Sequence, residues 1–151
     1  MKALELLKEA TEYVITNKTF RDDFKDDHPM YPFVHKLSGQ NTGQVGEYIV
    51  QKLLNAGNRT GSGNDATTEV YGKLEIKTST ANWVNQIKPE NDFDTLVLVY
   101  IEPDRLTVLA LSKEDLLKSN KLFNNNHKSL KLTSDETSEI KGVLTLFNST
   151  Y

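Results

Sequence analysis

Cysteine is absent from the 151 residues, and with it go disulfide frameworks, thiolate zinc sites and thiol nucleophiles. Long apolar runs are absent too. The longest, Leu96 to Ile101, falls far short of the ~20 residues that a membrane-spanning helix needs. Neither sign of charge dominates: 18 Lys plus Arg stand against 21 Asp plus Glu, a formal charge of -3, so the whole chain exerts no pull on a polyanion. A nucleic-acid partner would have to be met by basic residues gathered on one face, and that binding would weaken steeply with salt. Lys2, Glu5, Lys8, Glu9 and Glu12 break up the uncharged block that a secretory signal requires, so a cytoplasmic protein is expected. The length suits a single domain over 1–151, with no internal repeat and no dividing linker.

What is present is an alternation of helix-like and strand-like stretches. Ala3, Leu6, Leu7, Ala10 and Val14 recur at spacings of three and four, which predicts a one-sided helix over 1–16. The stretch Arg21 to Pro29 reads as a short helix followed by a loop. Val45, Ile49 and Leu53 repeat at four, which predicts a second helix from Gly43 to Ala56, with Gly57 as its stop. Ala66 to Val70 and Lys73 to Ser79 flank Tyr71 and Gly72, the pattern of a hairpin. One or two helical turns are expected within Thr80 to Glu90. Thr95 to Ile101 is a continuous β-branched and Leu run, as in a strand buried on both faces, and Leu106 to Leu111 reads as its partner. Ser112 with Asp115 resembles a capping box. Beyond Asn124 the tail is polar, with strand signals at Ser129 to Thr133 and Val143 to Phe147. The fold class expected is α/β, a mixed central sheet flanked by helices.

The chemistry concentrates between Gly43 and Ser79. Strand side chains alternate, so Leu74, Ile76 and Thr78 point one way and Glu75, Lys77 and Ser79 the other. Hairpin pairing can bring Asp65, at the start of the neighbouring strand, beside Glu75 and Lys77. Two carboxylates about 4 Å apart repel by about 4 kcal/mol at an effective dielectric near 20, so a fold that holds them together commonly holds a cation between them. Carboxylates with a backbone carbonyl and waters suit Mg²⁺. Such a metal would stabilise charge on a phosphodiester and lower the pKa of a bound water. The Lys77 ammonium would orient that water or stabilise the charge that develops. Glu47, on the second helix, is the remaining candidate, as a supporting or second-metal ligand.

Asp65, nine intervening residues, then Glu75-x-Lys77, preceded by a helix with Gly46-Glu47, resembles the PD-(D/E)xK nuclease superfamily. Gly63-Asn64-Asp65-Ala66 with Glu75-Ile76-Lys77-Thr78 is most similar to type II restriction endonucleases of the PvuII type. The resemblance implies a restriction-endonuclease-like three-layer core and Mg²⁺-dependent hydrolysis of duplex DNA at a specific site, with Mn²⁺ able to substitute. It assigns Asp65, Glu75 and the Ile76 carbonyl to the metal and Lys77 to the water, with Glu47 assisting. The customary proline before the aspartate is Asn64 here. The Gly61-Ser62-Gly63 run is also similar to archaeal Holliday-junction resolvases, so a repair, junction or phage nuclease is the alternative, and a non-catalytic DNA-binding module the third reading. One site per chain implies two copies to cut both strands. A homodimer is expected, with the N-terminal helix as the candidate interface.

Contacts to DNA require side chains that pair with phosphates and base edges. The candidates are Arg59 and Lys73 near the site, Asn82, Asn85, Gln86 and Lys88 after the catalytic strand, and Asn126, His127 and Lys128 in the polar tail. Asp22, Asp23, Asp26 and Asp27 do not match a calcium loop and read as a solvated face. His28 and His35 lack zinc or triad spacing.

Overall fold

The computed structural model describes residues 2–14, 39–61, 63–80, 83–84, 87–102, 104–119 and 132–151. The short helix and loop expected within 21–38 and the strand signal at 129–131 lie outside the described residues.

Helix α1 (Ala3–Val14) forms where the periodicity placed it, and Ala3, Leu6, Leu7 and Ala10 are all fully buried. Helix α2 (Gly39–Leu54) starts ahead of the expected Gly43. Asn41 and Thr42, which resemble start signals, lie inside the helix and are buried. The helix ends before Gly57 because Asn55 takes φ +50°, a left-handed conformation that asparagine tolerates better than most residues. The Ala56 N–H then bonds back to the Gln51 carbonyl at 3.2 Å, the six-to-one bond of a Schellman cap. Gly57 instead opens strand β1 (Gly57–Asn58). The two helices are clamped outside the core, where Glu9 accepts from the Tyr48 hydroxyl at 2.5 Å and pairs with Lys52 at 3.1 Å.

Strands β2 (Ala66–Thr68) and β3 (Gly72–Ser79) form the expected hairpin. Its turn is wider than Tyr71-Gly72, and Val70 stands at its tip, 81% exposed. Strand β4 (Trp83–Val84) occupies part of the stretch expected to be helical. It forms a two-stranded ribbon with β7 (Leu132–Thr133), so pairing with a distant segment overrides any local helical tendency there. Strand β5 (Thr95–Ile101) is buried along its whole length, and β6 (Arg105–Ser112) pairs with it antiparallel. Ser112 caps α3 (Lys113–Lys118), its hydroxyl accepting the Asp115 N–H at 3.1 Å and donating to the Asp115 carboxylate at 2.9 Å. Helix α4 (Ser134–Ser138) was not foreseen in the polar tail, and β8 (Leu144–Thr150) closes the described chain.

The main sheet has the order β1-β2-β3-β5-β6-β8, parallel between β3 and β5 and antiparallel elsewhere. The protein is therefore α/β, a six-stranded mixed sheet flanked by helices. On one face Leu74, Ile76, Val97, Val99, Val108 and Ala110 pack against Leu6, Leu7, Val45 and Ile49 of the two long helices. On the other Leu96, Leu98, Tyr100, Leu109 and Leu111 pack against Val84, Ile87, Phe93, Leu116 and Ile140. Ala3, Leu6, Leu7 and Ala10 of α1 are thus buried within their own chain. Among the described residues no helix is long and apolar enough to cross a membrane.

Candidate active site

Strand β2 is shorter than β3, and that mismatch makes the site. The ladder runs from Thr68↔Gly72 to Ala66↔Leu74, and the Asp65 N–H adds a last bond to the Leu74 carbonyl at 2.7 Å. The next donor along that edge of β3 is the Ile76 N–H. No β2 backbone remains to meet it, and the Asp65 carboxylate accepts it at 2.7 Å through Oδ2. An edge donor left without a strand is thereby satisfied by a side chain. In an extended strand a residue's carbonyl points to the same side as its N–H, so the Ile76 carbonyl faces the same opening as Asp65.

Glu75 and Lys77 lie on the other face of β3 from Leu74 and Ile76, as the alternation required. Their partners across the parallel ladder are Leu96 and Leu98, members of the second core. The Glu75 side chain is only 5% exposed, and the Lys77 ammonium meets its Oε1 at 2.8 Å. A carboxylate buried this deeply needs a counter-charge, and Lys77 provides one from two residues along the strand.

Helix α2 supplies the third carboxylate. Glu47 is half-buried, and its carboxyl is pushed above the ordinary range first by burial and then by the negative charge of Asp65, with Glu75 adding to it. Arg59 and Lys77 oppose the shift. Glu47, Asp65, Glu75, Lys77 and Arg59 therefore share one electrostatic neighbourhood, drawn from α2, the end of β2, β3 and the segment after β1.

The donors, carboxylate oxygens and a backbone carbonyl, are of the kind a hard divalent cation takes. Burial is the larger cause of the Glu47 shift; the smaller part, repulsion from Asp65 and Glu75, is what a nearby cation would relieve. Among the described residues no three acidic or histidine side chains stand close enough to form a preassembled metal cluster.

One positioning residue was missed by the spacing argument. Asn64 is buried, and its amide accepts the Thr60 N–H at 3.1 Å and donates to the Thr60 carbonyl at 2.6 Å. That double bond closes the loop from Thr60 to Asn64 and delivers Asp65 to the sheet edge. The signal was available in the sequence, since an asparagine among glycines readily bonds nearby backbone, although its partner could not be named.

Of the expected DNA contacts, Arg59 is exposed beside the site and Lys88 is exposed farther along the chain. Lys73 shares the face of Glu75 and Lys77, but its ammonium is paired with Asp92 at 2.6 Å. Asn82, Asn85, Gln86, Asn126, His127 and Lys128 lie outside the described residues. No protein-family model matches the chain, and no curated protein matches it.

Proposed function

We propose that the protein is a Mg²⁺-dependent deoxyribonuclease with a restriction-endonuclease-like core, hydrolysing phosphodiester bonds of duplex DNA at a specific site. The observation that carries this reading is the Asp65 carboxylate bonded to the Ile76 N–H at the edge where β2 stops, next along β3 to the Glu75–Lys77 pair. Lys77 contacts Glu75 there, and Glu47 feels the charge of all three. Asp65, Glu75 and the Ile76 carbonyl would hold the ion. When bound, it would polarise a phosphate oxygen and acidify a water.

The chain's own groups do the rest. Lys77 orients the attacking water and offers positive charge to the phosphorane. Glu47, whose carboxyl holds its proton more tightly than an ordinary one because of burial and then the charge of Asp65, assists. Arg59 holds the adjacent phosphate. Cutting both strands requires two copies, so the active form is a homodimer.

Purified full-length protein with Mg²⁺ should convert unmethylated phage DNA into discrete fragments, and a chelator should stop it. Asp65→Ala and Lys77→Ala should each lower cleavage by at least about 10²-fold while DNA binding persists. Unchanged cleavage in both variants would overturn the site. Preference for branched substrates over intact duplex would move the protein to the junction-resolving or repair class. Binding without cleavage in the unmodified chain would favour the non-catalytic DNA-binding reading, to which a closed Lys77–Glu75 pair is also suited.

A further inference from the structure

Gly46 lies in the interior of α2, where glycine costs about 1 kcal/mol relative to alanine, and it is buried. A Cβ built on it would fall upon the Thr78 hydroxyl of β3, with the Thr78 Cβ and Cγ2 only 2.7 and 2.8 Å away. Helix backbone therefore rests directly on a strand side chain at this one point. The Thr78 Oγ1 is buried there without a hydrogen-bond partner, although buried hydroxyls are nearly always bonded. Two unfavourable features thus coincide at one contact. The residue that follows Gly46 is Glu47, and the residue that precedes Thr78 is Lys77.

We propose that Gly46 and Thr78 form a seat that sets the depth of Glu47 in the site, making both positioning residues. The inference rests on the nuclease reading for its chemistry and on the packing alone for its geometry. Rise along a helix is fixed, so the Glu47 backbone approaches β3 only as closely as Gly46 does. Any side chain at 46 lifts the helix off Thr78 and withdraws the Glu47 carboxylate from Asp65 and Lys77. Glycine is tolerated in the helix because this approach has no other solution, and the hydroxyl of Thr78 gives up its partner to the same closeness.

The test compares the full chain with Gly46→Ala, Thr78→Gly, Gly46→Ala/Thr78→Gly, Glu47→Gln and Gly46→Ala/Glu47→Gln. Two quantities are read: Mn²⁺ affinity by calorimetry, and the response of the Glu47 carboxyl carbon signal to Asp65→Asn in metal-free protein. Gly46→Ala should weaken Mn²⁺ by about tenfold, the scale for displaced supporting groups around a metal. Glu47→Gln should weaken it equally, and the two together should do no more. Returning the space in Gly46→Ala/Thr78→Gly should restore affinity to within about threefold and restore the response of Glu47 to Asp65, which Gly46→Ala alone should abolish. A destabilised helix without a seat would show no such rescue, and losses that multiply in Gly46→Ala/Glu47→Gln would overturn the proposal. A parent chain that binds no Mn²⁺ would overturn the nuclease reading instead. The carbon signal would then decide the seat by itself: a Glu47 response unchanged by Gly46→Ala rejects it.

Discussion

Two lysine ion pairs lie on the same face of the same strand, four residues apart, and they are chemically different objects. Lys73 meets Asp92 at 2.6 Å with side chains 38% and 64% exposed, whereas Lys77 meets Glu75 at 2.8 Å with side chains 26% and 5% exposed. The exposed contact is the shorter one. Distance therefore does not rank them; the surroundings of the carboxylate do. Asp92 keeps most of its hydration without Lys73. Glu75, set against a core of Leu96 and Leu98, has exchanged its hydration for one ammonium, and only a second cation of comparable strength could take that place. A pair on the hydrated surface contributes little, whereas a buried carboxylate depends on its counter-charge.

The largest effect expected from this difference follows removal of the buried partner. Lys77→Met should cost about 2–3 kcal/mol in urea unfolding, because Glu75 is left as a buried charge with no counterpart. Glu75→Met/Lys77→Met should recover most of that loss by replacing both groups with apolar surface. A double variant no more stable than the single one would show that Glu75 is not paying for its burial, and the contrast between the two pairs would collapse.

The sheet was legible in the sequence where its signals were long. Thr95 to Ile101 has the pattern of a strand covered on both faces and is one, and the alternation along β3 puts Leu74 and Ile76 on one face and Glu75 and Lys77 on the other, as observed. Short elements were not legible. Gly57 and Asn58 pair with Ala66 and Thr67, and Trp83 and Val84 pair with Leu132 and Thr133. In each case a distant partner, not local preference, makes the strand. Glu47 could be placed on a helix, but its proximity to Asp65 depends on how closely α2 approaches β3. The sequence carries one trace of that approach, the glycine inside an otherwise regular helical pattern. The role of Asn64 escaped notice for a related reason: a local backbone clasp resembles ordinary loop composition until its partner is known.

Glu47 stands between the two ion pairs in burial, and its behaviour with pH sharpens the series. Burial, then the charge of Asp65, hold its carboxyl above the ordinary value, with Arg59 and Lys77 partly opposing. A folded value above the unfolded one, about 4.3, means that the native state keeps the proton longer. The contribution to stability is therefore complete below the unfolded value and is lost as pH rises through the folded one. Glu47→Gln carries no proton to lose. In chelator, its melting temperature should rise relative to the parent as pH increases from about 4 to neutrality, and the difference should flatten once the parent's carboxyl is ionised. A difference independent of pH would remove Glu47 from the charged neighbourhood of the site.

The smallest effect belongs to the exposed pair. Lys73→Met should change stability by less than about 1 kcal/mol, and the change should shrink further at 1 M salt, where screening acts within about 3 Å. The backbone at this position is held independently of the ammonium: the Lys73 N–H donates to the Asp94 carboxylate at 2.8 Å, and its carbonyl accepts the Asp94 N–H at 2.8 Å. The Asp92 contact is thus not needed to hold the strand backbone at this position. A loss above about 2 kcal/mol in Lys73→Met, matching that of Lys77→Met, would mean that position on β3 rather than burial of the carboxylate sets the strength of these pairs. The physical ground for separating a structural contact from a candidate catalytic one would then disappear.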